Sequence, residues 1–275
     1  MFWTRRTWIH VLLFVLTVAS TWYYGGPSYS IPVVLILLGH EMGHYLMSQR
    51  YGMEATLPFF IPFPLPPFGT LGAIIRMKSA IPSRRALFDV GVAGPLTSLC
   101  LSLPAIVVGL SLSTVIPAAQ VQEGMERLAD PLLFSLLQYA VMGEIGADVD
   151  VIIHPVAYAG WVGLFVTALN LLPVGQLDGG HVVYALFGKT SRRIFVITLC
   201  VMAYITIFYN PGWFLLLVLI SLFGFRHPPP LDDETPLGRK RKFLGAVVFA
   251  VFFLSFTPSP FPDLVKEFKP IFSWL

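Results

Sequence analysis

The chain has 275 residues, of which 56% are hydrophobic and only 12% charged, and its formal net charge is +3. Soluble domains carry about 25% charged residues, so this composition excludes an ordinary water-soluble fold and indicates a polytopic protein in a lipid bilayer. No basic face interleaved with aromatics runs through the sequence, which argues against a nucleic-acid partner and leaves the positive charge as a reporter of topology.

Apolar runs of about 15 to 25 residues, the length a tilted helix needs to cross a bilayer, predict spans near 8–24, 30–48, 86–110, 154–173, 193–209, 212–225 and 243–258. The expected fold class is therefore all-α and polytopic, with about six or seven transmembrane helices. The first span follows Arg5 and Arg6 in MFWTRRTWIHVLLFVLTVASTWYYGG. That stretch has the charged start and apolar centre of a signal peptide but no convincing small-x-small cleavage site, so it is read as a retained span, with cleavage near Ala19 as the alternative. Between the second and third spans lies TLPFFIPFPLPPFGTLGAIIRMK, residues 56–78. Pro58, Pro62, Pro64, Pro66 and Pro67 forbid a regular helix there, and the apolarity forbids a solvated linker. A re-entrant loop is expected, because non-helical backbone at membrane depth persists only where protein or a wet cavity surrounds it. An extended strand should follow at about 70–77; a hairpin on the membrane surface is the alternative.

The third span opens with FDVGVAGPL, 88–96, where small residues favour close helix packing and Asp89 sits near the inner interface. Residues 111–150 carry Glu123, Glu126, Asp130, Glu144, Asp148 and Asp150 and are too few for a typical independent domain. The segment HPPPLDDETPLGRKRK, 227–242, reads as an exposed flexible connector. Cys100 and Cys200 both fall inside predicted spans and read as small packing residues. With the N-terminus inside and the spans alternating, all of the 18 Lys and Arg except Arg127, Lys266 and Lys269 lie on the inner side, which satisfies the positive-inside rule. A single integral membrane domain, 1–275, results.

LLGHEMGH, 37–44, places three ionisable groups in the middle of the second span. On a helix His40 and His44 project from one face, so both imidazoles can bind one ion. Glu41, beside the first ligand, is then placed to act as a base on water held by the ion, the logic of H-E-x-x-H in zinc peptidases. A catalytic zinc needs a third protein ligand. Asp178 in NLLPVGQLDGGHV, 170–182, is the candidate, because Gly179 and Gly180 let the backbone turn closely around it; His181 is the other possibility. His10, His154 and His227 lie near span ends, where an imidazole can reach water.

HEMGH at 40–44 together with NLLPVGQLDGG at 170–180 resembles the site-2 protease family of intramembrane zinc metalloproteases. The stretches FGTLGAIIRMKSAIPSRRALFDVGVAGPL, 68–96, and HPVAYAGWVGLFVTALNLLPVGQLDGG, 154–180, are similar to its EGY-like branch, found in plastids, cyanobacteria and other prokaryotes. The resemblance covers about residues 30–190. It implies one Zn2+ per chain held by His40, His44 and Asp178, Glu41 as general base, and Asn170 holding substrate or stabilising the oxyanion. It also implies single-pass transmembrane proteins as substrates, cleaved in regulated intramembrane proteolysis. No segment is long enough for the PDZ domain of many relatives, and no CBS-type extension is present. A substrate helix must unwind to be cut, and the strand at 70–77, with Gly72, Ala73, Ile74 and Ile75, offers an edge to which it could add. A metal transporter and an inactive protease-like scaffold are the other function classes. The expected location is a prokaryotic plasma membrane, with the active site opening to the cytoplasm.

Overall fold

In a computed structural model of the chain, the structure describes residues 7–120, 127–223 and 228–262. Arg5, Arg6, Glu123, Glu126, Arg226, His227, Lys266 and Lys269, and the end of the expected span at 212–225, lie outside them. The first two predicted spans form one element, α1 (Thr7–Arg50), broken at Gly26 (φ 68°, ψ −173°) just before Pro27. The two limbs fold back on each other. Ser30 Oγ reaches Val18 O at 3.3 Å and Thr21 Oγ1 at 2.6 Å, whereas Val18 and Ser30 would stand about 18 Å apart on a continuous helix.

The Pro-rich segment folds as an antiparallel hairpin of β1 (Phe59–Pro62) and β2 (Thr70–Ile74), pairing Phe59 with Ile74, Phe60 with Ala73 and Pro62 with Thr70, with a register shift between Phe60 and Pro62. The expected strand at 70–77 is thus shorter. Ile75 lies past its end, and Met77 makes an isolated bridge to Ala55. The hairpin lies along α1: His10 Nδ1 donates to Pro58 O at 3.0 Å near the start of the first limb, while Ser20 Oγ donates to Gly69 O at 2.7 Å further along it.

α2 (Arg84–Ser111) begins at Ser83, whose Oγ accepts from Ala86 N–H at 3.2 Å, an N-cap that satisfies one of the free amides of the first turn. Residues 111–153 supply β3 (Thr114–Pro117), α3 (Leu132–Met142) and β4 (Val149–Ile152), with β3 and β4 antiparallel. α4 (Pro155–Asn170) starts at His154, whose ring accepts from Val156 N–H. α5 (Asp178–Phe187) runs through a tight turn into α6 (Ser191–Phe208), so the fifth apolar run starts well before residue 193. α7 (Phe214–Phe223) and α8 (Arg239–Ser255) complete the described chain. Among the described residues three helices, Thr7–Arg50, Arg84–Ser111 and Asp178–Phe208, are long and apolar enough to cross a membrane.

α1, α2 and α4 pack along a seam of small residues. A Cβ at Gly160 would come within 2.6 Å of Ile106 Cγ1, one at Gly43 within 2.6 Å of Ala93 O, and one at Gly163 would overlap Ser102 Oγ. Such seams let helices in lipid approach to backbone distance, where dispersion is strongest. Two expectations change. The connector ahead of α8 is docked, not flexible: Leu231 and Asp232 N–H bind Ile81 O and Pro82 O, and Arg84 N–H binds Asp232 O. Arg84 Nε pairs with Asp233 Oδ1 at 3.0 Å. A turn in which the Thr235 hydroxyl and N–H and the Glu234 N–H bind Asp232 holds that carboxyl below the usual range. Cys100 and Cys200 are exposed on their helices. In a bilayer an apolar helix face can point to lipid, so apolarity does not predict burial.

Candidate metal centre

The second limb of α1 carries His40 and His44 one turn apart, and the start of α5 carries Asp178 towards them. The Asp178 Oδ2 to His40 Nε2, Asp178 Oδ2 to His44 Nε2 and His40 Nε2 to His44 Nε2 distances are each 3.2 Å. Tetrahedral zinc with bonds of about 2.0–2.1 Å places its ligand atoms about 3.3 Å apart, so the triangle has the right size. Among the described residues these three form the one group of His, Cys or carboxylate side chains able to hold a metal ion together.

The proton positions agree with that size. His44 Nδ1 lies 2.8 Å from Val90 O; a carbonyl can only accept, so the proton is on Nδ1 and Nε2 offers its lone pair. His40 Nδ1 lies 3.1 Å from Ser98 Oγ, which also meets Thr167 Oγ1 at 2.9 Å. Asp178 Oδ2 is buried and accepts no well-formed hydrogen bond among the described residues. Three acceptors thus converge, and a cation at their centre satisfies all three at once. Backbone near the site must stay bare: a Cβ at Gly94 would overlap the His44 ring, and one at Gly179 would overlap Leu171 O.

Glu41 is buried at 6% exposure. The Ile75 backbone N–H, just past the end of β2, faces its carboxylate. Asn170, the last residue of α4, puts Nδ2 3.3 Å from His40 Nε2, at the rim of the triangle. Of the proposed substrate-binding residues, Ile75 thus reaches the site directly. Gly72 holds a φ of 94° that favours glycine, Ala73 packs against the core, and Ile74 is exposed. His181 stands apart, with its Cβ facing Gly91 of α2. His10 and His154 serve the hairpin and the α4 cap. Asp89 is not idle packing: it accepts two bonds from Arg241, at 2.8 and 2.7 Å, and one from the Tyr51 hydroxyl at 2.5 Å.

Sequence reasoning missed Val90, Gly94, Ser98 and Thr167, which orient the two imidazoles. A backbone carbonyl has no sequence signature, and single hydroxyls or glycines are common in membrane helices. The FDVGVAGPL run was the available signal, because its small residues mark where something approaches closely.

Comparison with known proteins gives the family. The chain matches the model of Peptidase family M50 over residues 28–209. It is 36% identical over 234 residues to "Probable zinc metalloprotease EGY1, chloroplastic" of Arabidopsis thaliana, covering 82% of this chain and 42% of that protein. It is 35% identical over 244 residues to the protein of the same name from Oryza sativa subsp. japonica, covering 86% and 41%. "Probable zinc metalloprotease EGY2, chloroplastic" of Arabidopsis thaliana is 27% identical over 239 residues, covering 84% and 42%. The chain therefore spans less than half the length of these curated relatives. A solved structure, the Site-2 Protease from Methanocaldococcus jannaschii, aligns over 84% of this chain and 93% of that one at a TM-score of 0.39 and 18% identity. The matched stretch takes in His40, Glu41, His44, Asn170 and Asp178, and the chain belongs to peptidase family M50.

Proposed function

We propose that the protein is an intramembrane zinc endopeptidase that cleaves transmembrane helices of single-pass membrane proteins. The observation that carries this reading is the 3.2 Å triangle of His40 Nε2, His44 Nε2 and Asp178 Oδ2 beside the buried Glu41. His40, His44 and Asp178 would hold one zinc per chain, and the M50 match and the zinc metalloprotease names of the relatives support that metal. When bound, zinc polarises a peptide carbonyl and lowers the pKa of the water it holds to about 7.

The chain's own groups do the rest. Glu41 takes a proton at its carboxylate and passes it to the leaving amine. The Ile75 N–H steadies that carboxylate, and Val90 O and Ser98 Oγ keep the imidazole protons on Nδ1. Asn170 stands where it can hold a substrate carbonyl. The edge of β2, Gly72 to Ile75, would receive the unwound substrate as an added strand.

The same reading makes the chain a single integral membrane domain with six or seven spans and makes the Pro-rich hairpin re-entrant. The hairpin's contacts along α1, from His10 to Ser20, support this. The positive-inside pattern supports an N-terminus and a site opening on the cytoplasmic side of a prokaryotic membrane, or on the equivalent side of a plastid membrane, given that the relatives are named chloroplastic. Transport would require further ion sites along a path, and among the described residues the triangle is the one such group.

The test uses purified protein in liposomes with a panel of tagged single-pass helices. Wild type should cut within the helix, and Glu41→Gln should retain about one zinc per chain while cleavage falls by at least about a hundredfold. Cleavage that survives in Glu41→Gln, or a wild type that binds zinc and cuts nothing, would sink the reading.

A further inference from the structure

Three consecutive backbone carbonyls at the tip of the Pro-rich hairpin are each taken by a hydroxyl from a different helical segment. Tyr158 of α4 donates to Pro67 O, Tyr29 of the second limb of α1 to Phe68 O, and Ser20 of the first limb to Gly69 O, each at 2.7 Å. Tyr29 is fully buried and Ser20 nearly so. The rings also stack, with the Tyr29 and Tyr158 centroids 5.3 Å apart.

The hairpin's own ladder is a poor ruler. Prolines at 58, 62, 64, 66 and 67 supply no N–H, and the pairing shifts between Phe60 and Pro62. A short strand on such a partner has a weakly specified register and can slide along its own axis. β2 begins at Thr70, directly after the last pinned carbonyl, and Ile75 beyond its end meets Glu41. The far end is tied separately, where Thr56 N–H donates to Arg76 O and Arg76 N–H donates to the Thr56 hydroxyl. The tip therefore fixes where β2 stands relative to Glu41, in steps of about 3.3 Å per residue.

We propose that Ser20, Tyr29 and Tyr158 are positioning residues that set the register of β2 against Glu41 and so select which peptide bond of an added substrate strand is cut. The inference rests on β2 acting as the substrate-binding edge. A slip of one residue would carry the neighbouring bond to the site and turn the strand's side chains to the opposite face.

The experiment compares wild type with Ser20→Ala, Tyr29→Phe, Tyr158→Phe and the triple variant, as full-length zinc-loaded protein in liposomes. The substrate is a tagged single-pass helix that wild type cuts. Without substrate, amide exchange across 70–75 should quicken about fivefold for each hydroxyl removed, with zinc content unchanged. With substrate, fragment masses should spread in the triple variant from the wild-type bond to its neighbours, and kcat should fall about tenfold while KM stays within about twofold. A triple variant that cuts the same single bond at the wild-type kcat overturns the proposal. So does one that loses zinc or melts early with the cut bond unmoved, because the hydroxyls would then only hold the fold. Proline at Ile74 or Ile75 tests the edge itself. If proline at either position leaves cleavage intact, the edge reading fails; if proline abolishes cleavage but the triple variant is normal, only the role of the hydroxyls fails.

Discussion

His40 and His44 can present lone pairs to a cation only while their Nδ1 protons are held, and the two holders differ in kind. Val90 O belongs to the α2 backbone and cannot be mutated away, whereas Ser98 Oγ can. Ser98→Ala should weaken zinc binding about 10–100-fold, the usual effect of removing a ligand's hydrogen-bond partner, measured by competition with a zinc-sensitive dye. Gly94→Ala acts on the other ring. The new methyl group would overlap His44, and α2 backbone is too well packed to retreat, so zinc affinity should fall at least about tenfold. Normal zinc affinity in both variants would mean that the rings are set by something else. The convergence of His40, His44 and Asp178 was legible in the sequence because ligand chemistry demands scarce residue types at fixed spacing. Their supports were not, because Ser, Gly and a main-chain carbonyl are cheap to find in any apolar helix.

At the scale of elements, the seam between α2 and α4 decides where Thr167 and Asn170 stand relative to His40. Gly160 lies at its middle, its missing side chain filled by Ile106 and by Ser102 O at 3.0 Å. Gly160→Leu should push α4 from α2 and destabilise the fold by about 1–3 kcal/mol, as overpacking does. It should be seen as a lower melting temperature in detergent, with zinc loss following the melt. Helices were legible at this scale because long apolar runs have few alternatives in a membrane. The strand at 70–77 was read too long, since the ladder stops at the Phe59–Ile74 pair and leaves Ile75 outside it, short of what the apolar stretch to Met77 suggests. The connector ahead of α8 was read as mobile because Pro and mixed charges describe solvated linkers on average. Its partners, Ile81 to Arg84 and the Tyr184 hydroxyl, which donates to Asp233 Oδ2 at 3.1 Å, lie far away in sequence, and no local pattern announces a contact across such a distance.

Across the whole molecule, the family match ends at residue 209, so α7, the docked connector and α8 must be fastened to the core by contacts of their own. Asp89 is the main electrostatic tie. It receives a two-pronged bond from Arg241 at the start of α8 and one from Tyr51 after α1, so three elements meet at one carboxylate. The pair is partly exposed, 33% for Arg241 and 19% for Asp89, which leaves it open to screening by salt. Two-pronged geometry is what arginine supplies and lysine does not. Arg241→Gln should therefore make the connector, 228–238, easier for protease to cut, and Arg241→Lys should recover only part of the protection. Raising salt from about 0.05 M to about 1 M should speed cutting in wild type and change Arg241→Gln much less. Zinc content should hold in both variants, because His44 leans on Val90 O inside α2 and not on the tie itself. If zinc leaves with the connector, the segment beyond residue 209 is part of the metal centre's support; if protection is unchanged in Arg241→Gln, then the backbone bonds to Ile81, Pro82 and Arg84 and the Asp233 contacts with Arg84 and Tyr184 carry the attachment.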